Sequence, residues 1–284
     1  MRIFRNKVVV VTGAGAGIGR EISLCFAREG ARLAISDIRI DGAAETERIC
    51  REAGSPEVRS YMLDVSDKDG VFAHAARVQA DFGRAHYLIN NAGVTLVATF
   101  ANATIEELQW QININLWGVV YAAKAFLPIM LQQHEGCIVN MSSVFGLVAF
   151  PTQAGYSITK FGIRAFTEAL WYELEGTGVR AVCVCPGGIR TNIEKTGRRG
   201  INAGAWESKF EAMSRRLLTT PPADCARDIV KGIRKGKRRI LTGNRSTFLS
   251  WLARLLPNHY PEVINRLTNW GPNDSSRGEI VDQT

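Results

Sequence analysis

The sequence has no apolar run that approaches the roughly 20 residues of a membrane-spanning helix. Its first residues also lack a signal-peptide cleavage region, because they pass straight into an apolar β-branched run. With 46% hydrophobic and 22% charged residues, the composition is ordinary for a globular protein. These absences argue against an integral membrane protein and predict a cytoplasmic location.

Histidine and cysteine are scarce as well, with four histidines and six cysteines in 284 residues. Cys183 and Cys185 lie on the same face of an apolar segment, but no histidine or second cysteine pair completes a set of zinc ligands. We therefore predict no metal site. Most of the cysteines lie within apolar periodic segments, which is typical of buried free thiols in a reducing compartment.

Positive charge is scarce in the first two thirds of the chain and concentrated in the last third. Residues 1–194 hold 18 Lys+Arg and 19 Asp+Glu, a net charge of −1, whereas residues 195–284 hold 17 and 8, a net charge of +9. The densest basic cluster comprises Arg234, Lys235, Lys237, Arg238 and Arg239. No interleaved aromatic residues or nucleic-acid motif accompany it, so we predict no nucleic-acid partner and favour a solvated edge or a surface facing anionic lipid.

What the sequence does contain is a regular alternation of apolar runs and segments of helical periodicity. The predicted strands are KVVVVT, RLAIS, VRSYML, HYLIN, CIVNMSS, VRAVCVC and RRILTG. Strands and helices at this βαβ spacing predict a parallel, doubly wound α/β sheet. No internal repeat or linker divides it, so residues 1–243 are predicted to form a single domain.

A glycine-rich loop, TGAGAGIG, separates the first predicted strand from the first predicted helix. The order of strand, glycine loop and helix is typical of a dinucleotide-binding site, because glycines let the backbone approach a pyrophosphate and the helix N-terminus binds its charge. Asp37 ends the second predicted strand, where a carboxylate can bond the adenosine ribose hydroxyls. Its alternative role is to cap the following helix.

Tyr156 and Lys160 lie four residues apart, which puts both side chains on the same helix face about one turn apart. A free tyrosine has a pKa of about 10 and is a poor proton shuttle near neutral pH. A lysine cation at about 4 Å could lower that pKa by roughly 3 units. Ser143 ends an apolar run, and its hydroxyl could bond the substrate oxygen that the tyrosine protonates. The alternative for the Tyr–Lys pair is a solvated helix face.

A long helix is predicted from about Thr104 to Gln133, beginning with a capping box formed by Thr104 and Glu107. Asn115 lies in the middle of this segment in an apolar context. Because a buried amide must find hydrogen-bond partners, Asn115 either bends the helix or serves a function.

The carboxyl-terminal part of the chain combines a polar loop with a very apolar helix. Residues 190–204 predict a mobile loop within a substrate-covering segment at about 190–220, residues 244–272 an apolar helical extension, and residues 273–284 a disordered tail. The segment Thr247–Leu256 is apolar nearly all round and too short to span a bilayer. It must therefore be buried by the substrate pocket or a neighbouring subunit, which we favour, or by a membrane interface, which would make peripheral membrane contact.

Taken together, the motifs resemble those of the short-chain dehydrogenase/reductase family over about residues 5–243. The shared motifs are TGAGAGIG, Asp64, NNAG at 90–93, Asn115, Ser143, YSITK and PGGIRT. The resemblance implies a Rossmann-like fold and hydride transfer between a nicotinamide cofactor and an alcohol or carbonyl carbon.

The resemblance also implies roles for individual residues. Tyr156 is expected to be the acid/base, Lys160 to hold the nicotinamide ribose and depress the tyrosine pKa, and Ser143 to orient the substrate oxygen. Asn115 is expected to fix a water that links Lys160 to solvent. The implied cofactor-binding residues are Gly13, Gly17, Ile18, Gly19, Asp37, Asp64, Val65, Asn91, Ala92, Gly93, Tyr156, Lys160, Pro186, Gly187, Ile189 and Thr191.

The expected cofactor is NAD, because Ala16 is neutral and Asp37 is acidic where NADP-dependent relatives typically place a basic residue. Arg39 lies two residues further on, so an NADP-dependent carbonyl reductase is the alternative. A second alternative is a non-enzymatic cofactor-sensing protein on the same fold, although such proteins usually lose the tyrosine or the lysine.

The substrate is expected to be a lipophilic secondary alcohol or ketone, because the positions after the motifs are mostly apolar. The candidate pocket residues are Val94, Leu96, Phe145, Leu147, Phe150, Ile193, Trp206 and Phe210. As in the family, the helices at about 104–133 and 155–176 are expected to pair across a two-fold axis into a homodimer or homotetramer. The apolar area for that contact is assigned to Trp110, Leu116, Phe161, Phe166 and Trp171.

Overall fold

Seven parallel strands form the central sheet of this computed structural model, which describes residues 3–191, 193, 197–268 and 270. In chain order the strands are β1 (Val8–Thr12), β2 (Arg32–Asp37), β3 (Val58–Met62), β4 (Tyr87–Asn90), β5 (Leu96–Val97), β6 (Gly136–Met141), β7 (Val179–Gly187), β8 (Arg198–Arg199) and β9 (Arg239–Gly243). The sheet has the order β3-β2-β1-β4-β6-β7-β9, and β5 pairs with β8 in a separate parallel ladder.

Helices cover both faces of the sheet. They are α1 (Gly17–Arg28), α2 (Ile40–Glu52), α3 (Lys68–Phe82), α4 (Ile105–Ile112), α5 (Gly118–Gln133), α6 (Ala154–Glu173), α7 (Ala205–Leu217), α8 (Pro222–Arg234), α9 (Ser246–Leu255) and α10 (Tyr260–Thr268). Alternate residues of β1 point to opposite faces. Val9 and Val11 pack with α1, α2 and α8, whereas Val8 and Val10 pack with α3, α5 and α6. The predicted doubly wound, single-domain α/β fold is thereby confirmed.

The predicted helix over residues 104–133 is in fact two α-helices joined by a π-helical turn, Asn113–Trp117. Thr104 and Glu107 form the predicted capping box at its start. The sequence reading found no membrane-spanning run, but the stretch Ile105–Gln133 is long and apolar enough, at a mean hydropathy of 1.5, to cross a membrane. Here the inner face of α5 packs against the sheet through Ala122, Phe126 and Met130.

The two carboxyl-terminal helices lie beside the carboxyl ends of the strands. The helical extension predicted over residues 244–272 is two helices, α9 and α10, separated by a break near Pro257. Leu252 of α9 and Ile264 of α10 are buried in an apolar cluster with Phe150 and Phe210. The tail predicted to be disordered, residues 273–284, lies outside the described residues.

The basic cluster at residues 234–239 lies at the other edge of the sheet. Its last residue, Arg239, begins β9, and α9 follows only after β9 has crossed to the carboxyl edge. Arg234 pairs with Glu29 and Arg239 pairs with Glu168. The cluster therefore lies away from Arg245 and Arg254, which precede and lie within α9.

Candidate active site

The amino-terminal end of α1 faces a large cavity at the carboxyl ends of the strands. Ala16, Gly17 and Ile18 line this cavity. No side chain caps the helix at Ala16, so the first N–H groups of α1 remain open to an anion. Gly17 has φ of +57°, and a Cβ there would have only Thr191 as a neighbour, at 3.7 Å. This open cradle fits the pyrophosphate of a dinucleotide.

Gly19 and Asn91 contact the glycine loop on the side away from the cavity centre. A Cβ on Gly19 would lie 2.3 Å from the carbonyl oxygen of Gly13, so glycine is required for α1 to pack this closely. Gly19 therefore shapes the loop without lining the cavity. The Nδ2 of Asn91, one of the expected cofactor-binding residues, donates to the carbonyl oxygens of Thr12 and Gly13, at 3.0 Å each. The Asn91 side chain braces the loop while it also borders the cavity.

Asp37 lies at the end of β2, as the sequence indicated. Its Oδ2 accepts a hydrogen bond from the Gly15 N–H at 2.9 Å, and its Oδ1 accepts one from the Arg39 N–H at 3.0 Å. Asp37 and Arg39 both line the cavity. Asp64, after β3, accepts bonds from the N–H and the hydroxyl of Ser66 at 2.9 and 2.7 Å. The end of the cavity beside β2 and β3 thus presents carboxylates and one guanidinium.

Lys160 is buried between β6 and the π-helical turn. Its Nζ donates to the carbonyl oxygen of Met141 at 2.9 Å. Asn115 of the π turn is held by Val94, whose N–H donates to Oδ1 at 2.8 Å and whose carbonyl accepts from Nδ2 at 2.9 Å. A Cβ on Gly93 would lie 3.2 Å from Asn115 Oδ1 and 3.8 Å from Lys160 Nζ. The lysine and the asparagine therefore border the same small space, and the π turn is what aims Asn115 into it.

Tyr156 and Ser143 meet in the cavity wall. Both side chains line the cavity, and the Ser143 hydroxyl is close enough to the phenol to lower the pKa of Tyr156. Ser143 Oγ accepts a hydrogen bond from the N–H of Phe145 at 3.2 Å. The ring of Phe145 packs edge-on against Tyr156 with 6.1 Å between centroids. Strand β6 and helix α6 thus bring together two groups that are thirteen residues apart in the chain.

The pKa of Tyr156 does not follow the sequence prediction. Burial raises the pKa of Tyr156 to about 12. The interaction with the Ser143 hydroxyl lowers this pKa, but by less than burial raises it. Lys160 lies 5.3 Å from the centre of the tyrosine ring, and burial lowers the pKa of Lys160 to about 8. The expected lowering of the tyrosine pKa by the lysine is therefore wrong for this chain by itself, because desolvation of both groups outweighs their attraction.

The cavity has a volume of about 720 Å³ and continues from the glycine loop past Tyr156 to the carboxyl-terminal helices. The predicted residues that line it are Gly13, Gly17, Ile18, Asp37, Asp64, Val65, Asn91, Ala92, Gly93, Val94, Ser143, Phe145, Phe150, Tyr156, Lys160, Pro186, Ile189, Thr191, Ile193 and Phe210.

Several predicted residues lie outside this wall. Leu96 and Leu147 are buried in other apolar clusters. Trp206 packs edge-on against Trp270 with 5.4 Å between centroids. Gly187 lies behind the wall, where a Cβ would be 2.5 Å from the carbonyl oxygen of Asn244. The sequence identified these positions as apolar or glycine but could not show which way they face.

Apart from Ile193 and Phe210, the sequence did not single out the residues that the last third of the chain contributes to the cavity wall. Met213 and Leu217 of α7, Phe248 of α9, and Ile264 and Leu267 of α10 line it. The i, i+3, i+7 spacing of Phe210, Met213 and Leu217 could have indicated the α7 face. The predicted helical extension over residues 244–272 contains α10, but the sequence did not show that α10 lines the cavity.

Two buried or half-buried carboxylates hold the substrate-covering segment against the domain. Glu207 of α7 is fully buried, and its Oε1 accepts from the Thr99 N–H at 2.7 Å and its Oε2 from the Gly204 N–H at 2.8 Å. Glu107 Oε1 accepts from the Ile201 N–H at 2.9 Å. These bonds, together with the β5–β8 ladder, close the segment over the cavity.

Metal ligation finds no support in the described part of the chain, where no group of three His, Cys, Asp or Glu side chains could hold an ion. The described cysteines are free thiols. Tyr156, Ser143 and Lys160 are polar side chains that meet in the wall of the cavity.

Comparisons with known proteins agree with this geometry. The sequence profile of the short chain dehydrogenase family matches residues 7–202. SadH of Mycobacterium tuberculosis H37Rv, designated an oxidoreductase, is 38% identical over 93% of this chain and 96% of its own. Human estradiol 17-beta-dehydrogenase 11 is 28% identical over 92% of this chain and 83% of its own.

Among solved structures, a short-chain dehydrogenase/reductase from Burkholderia phymatum in complex with NAD has a TM-score of 0.83 and 29% identity, covering 89% of this chain and 94% of its own. Similar solved structures include complexes with NAD and with NADP. The chain is thus an NAD(P)-dependent dehydrogenase that acts on hydroxyl groups, and it belongs to the short-chain dehydrogenase/reductase family.

Proposed function

We propose that this protein transfers hydride between NAD(H) and a lipophilic secondary alcohol or ketone, with Tyr156 as the general acid/base. The observation that carries the proposal is the meeting of the Tyr156 phenol with the Ser143 hydroxyl in a cavity whose substrate end is largely apolar. A bound nicotinamide supplies the hydride acceptor or donor. The protein's own groups then have only to orient one oxygen and move one proton.

Each reactive group has a distinct part in that proton movement. Ser143 orients the substrate oxygen, and Tyr156 gives or takes its proton. With a pKa of about 12 in the chain alone, the phenol holds its proton and suits donation to a carbonyl oxygen. Lys160 and Asn115 border the space through which a water can pass the proton on to solvent.

NAD is the proposed cofactor because Asp37 occupies the end of β2 and borders the cavity. A 2′-phosphate at about 4 Å from this carboxylate would cost up to roughly 4 kcal/mol per charge pair at a dielectric of about 20. Arg39 also lines this end of the cavity and could compensate part of that cost. NADP is therefore the second candidate.

The substrate class follows from the cavity wall between Tyr156 and the carboxyl-terminal helices. That wall includes Val148, Phe150, Phe210, Leu249 and Ile264. These five side chains are apolar and uncharged, so they favour an apolar ligand. The name of the similar human estradiol dehydrogenase points to the same class of substrate. A small sugar or a charged acid would leave this surface unused.

The family is generally oligomeric, and we propose a homodimer or homotetramer of this chain built on α4, α5 and α6. The free thiols support a cytoplasmic location for it.

The proposal is tested by measuring kcat/KM with NAD and with NADP over a panel of secondary alcohols and ketones of increasing size. Tyr156→Phe should reduce kcat to below about a tenth of wild type while NAD affinity, from fluorescence titration, stays within about twofold, since the ring still packs but the proton is gone. Tyr172→Phe is the matched control, because Tyr172 is an exposed tyrosine of the same helix. A Tyr156→Phe enzyme that retains more than about a tenth of the activity would contradict the acid/base role of Tyr156. A higher kcat/KM with NADP would contradict the choice of NAD.

A further inference from the structure

Helix α9 carries an apolar stripe that the fold leaves uncovered. Phe248, Trp251 and Leu255 are 47%, 57% and 69% exposed. Their i, i+3, i+7 spacing puts them on one face of the helix, while Leu252 beside them is buried against the apolar cluster below. The fold therefore buries only one side of α9, and most of the surface of this apolar stripe stays exposed.

The apolar stripe adjoins the mouth of the cavity. Phe248 and Leu267 both line the cavity, and they are 47% and 55% exposed, so the cavity opens between α9 and α10. An apolar molecule that leaves the cavity here meets apolar side chains on the outer surface rather than polar ones. The mouth and the apolar stripe thus form one continuous apolar surface.

Arginines surround this surface. Arg245 precedes α9, Arg254 lies within it, and Arg266 lies next to Leu267 in α10. Arg215 and Arg216 lie at the end of α7, where Asn244, just before α9, donates through Nδ2 to the carbonyl oxygen of Leu217 at 3.5 Å. We name Arg215, Arg216, Arg245, Arg254 and Arg266 the basic rim.

The charge of the basic rim decides what covers the apolar stripe. Helix α9 contains no acidic residue, and α10 contains a single one, Glu262. In a two-fold contact between copies of this chain, the same patch faces itself, so arginines would oppose arginines around the apolar stripe. An anionic lipid surface offers both an apolar interior for the stripe and negative headgroups for the rim.

We propose that α9, α10 and the basic rim dock this protein on an anionic lipid bilayer, with the mouth of the cavity facing the membrane. Docking removes the exposed apolar side chains from water by inserting them at the headgroup boundary. The arginines add to the binding free energy because the negative potential of the anionic membrane attracts them. A lipophilic alcohol dissolved in the bilayer then enters the cavity without crossing water. This route rests on the function proposed above, whereas the docking itself does not.

The docking is tested by co-sedimentation of the full chain with vesicles of phosphatidylcholine that contain roughly one-third phosphatidylserine. Wild type should pellet with these vesicles, and should bind pure phosphatidylcholine vesicles at least about tenfold more weakly. Trp251→Glu with Leu255→Glu should lower binding to the anionic vesicles by about tenfold or more. The matched apolar control is Met62→Glu, an equally exposed side chain on β3 at the other end of the sheet.

The electrostatic part is tested by reversing three charges of the basic rim, in Arg215→Glu, Arg216→Glu and Arg254→Glu together. This variant should lose binding to anionic vesicles by about tenfold or more, and high salt should reproduce the loss in wild type. The control reverses Lys235, Lys237 and Arg238 to Glu, which gives the same change in net charge at the opposite edge of the sheet. Equal losses in both variants would overturn the proposal, because the attraction would then depend on net charge alone.

Two other outcomes would also overturn it. One is wild-type protein that stays in the supernatant with anionic vesicles. The other is a change of sedimentation coefficient in the Trp251→Glu, Leu255→Glu variant without vesicles, which would identify the apolar stripe as a contact between copies. Vesicle binding is read without turnover, so an enzyme that failed the activity test above would leave this result intact. Conversely, the docking variants should retain kcat/KM for a short, water-soluble secondary alcohol.

Discussion

At the residue scale, burial determines the protonation of the two central side chains. Burial lowers the pKa of Lys160 from 10.5 to about 8 and raises that of Tyr156 from 10.0 to about 12. Both shifts disfavour the charged forms, so the chain alone keeps a neutral phenol beside a lysine that is only partly charged in mild alkali. A charged Lys160 in this buried position therefore destabilises the folded state.

We predict that Lys160→Met removes this cost. Between the folded pKa of about 8 and the unfolded value of 10.5, the unfolded state binds more protons, so the stability of wild type rises with pH across that window. The stability of wild type relative to Lys160→Met should therefore increase by about 2.5 kcal/mol from about pH 7 to pH 10.

The measurement is urea unfolding of both proteins at several pH values, with Lys124→Met as the matched control at an exposed lysine of α5. The lost hydrogen bond to Met141 shifts the stability of Lys160→Met by a constant amount, so only the slope against pH reports the buried charge. A stability difference that does not change with pH would contradict the prediction.

At the scale of elements, α7 is held over the cavity by one carboxylate. Glu207 accepts a hydrogen bond from the N–H of Thr99, which is 108 residues away in the chain. It also accepts one from the N–H of Gly204 and so caps its own helix. Hydrogen bonds to its own helix and to Thr99 lower the pKa of Glu207 against the effect of burial. Because the same helix presents Phe210, Met213 and Leu217 to the cavity, Glu207 is a positioning residue for the substrate wall.

We predict that Glu207→Gln loosens this wall, because an amide N–H₂ would then face backbone N–H donors. The loss of one charge-assisted buried hydrogen bond should raise KM for a bulky substrate by about tenfold or more, with little change in NAD affinity. Cleavage by trypsin at Arg198 and Arg199 should also become faster. Glu211→Gln, which breaks only a half-exposed pair with Arg199, should change KM by less than about twofold.

If Glu207→Gln and Glu211→Gln had equal effects on KM, the buried carboxylate would not be what holds α7. KM and kcat should be measured separately, because a purely structural loss would lower thermal stability and kcat together. A rise of KM at constant kcat identifies a movement of the substrate wall.

At the scale of the whole molecule, one face of α4, α5 and α6 remains apolar after folding. Of the aromatic residues assigned to a subunit contact, Phe166 and Trp171 pack instead against the chain's own core, and Trp110 lies under the guanidinium of Arg198 at 3.9 Å. Phe161 is exposed, and so are Trp117 and Ile158. We expect these three exposed side chains to contribute to a two-fold contact.

We predict that the protein sediments as a dimer or tetramer at about micromolar concentration and that Trp117→Glu with Phe161→Glu reduces it to a smaller species. In an isologous contact each substitution appears twice, so four carboxylates would be desolvated close together. Met62→Glu should leave the sedimentation coefficient unchanged. A wild-type protein that sediments as a monomer at this concentration would refute the prediction.

The sequence by itself determined the order of the strands and helices, the doubly wound sheet and the grouping of Ser143, Tyr156 and Lys160. These features are local: β-branched runs, a glycine loop and a one-turn spacing report directly on the backbone that contains them. The family resemblance added Asn115, although the periodicity hid the π turn that aims it.

Only the tertiary structure decided which apolar side chains line the cavity and which support it. Phe210 and Trp206 are both aromatic residues of α7, yet one lines the cavity and the other packs against Trp270. Periodicity shows that a helix has an apolar face but not what that face packs against. The tyrosine pKa, the bond from Glu207 to Thr99 and the opening between α9 and α10 likewise depend on residues distant in sequence, because burial is a property of the assembled fold.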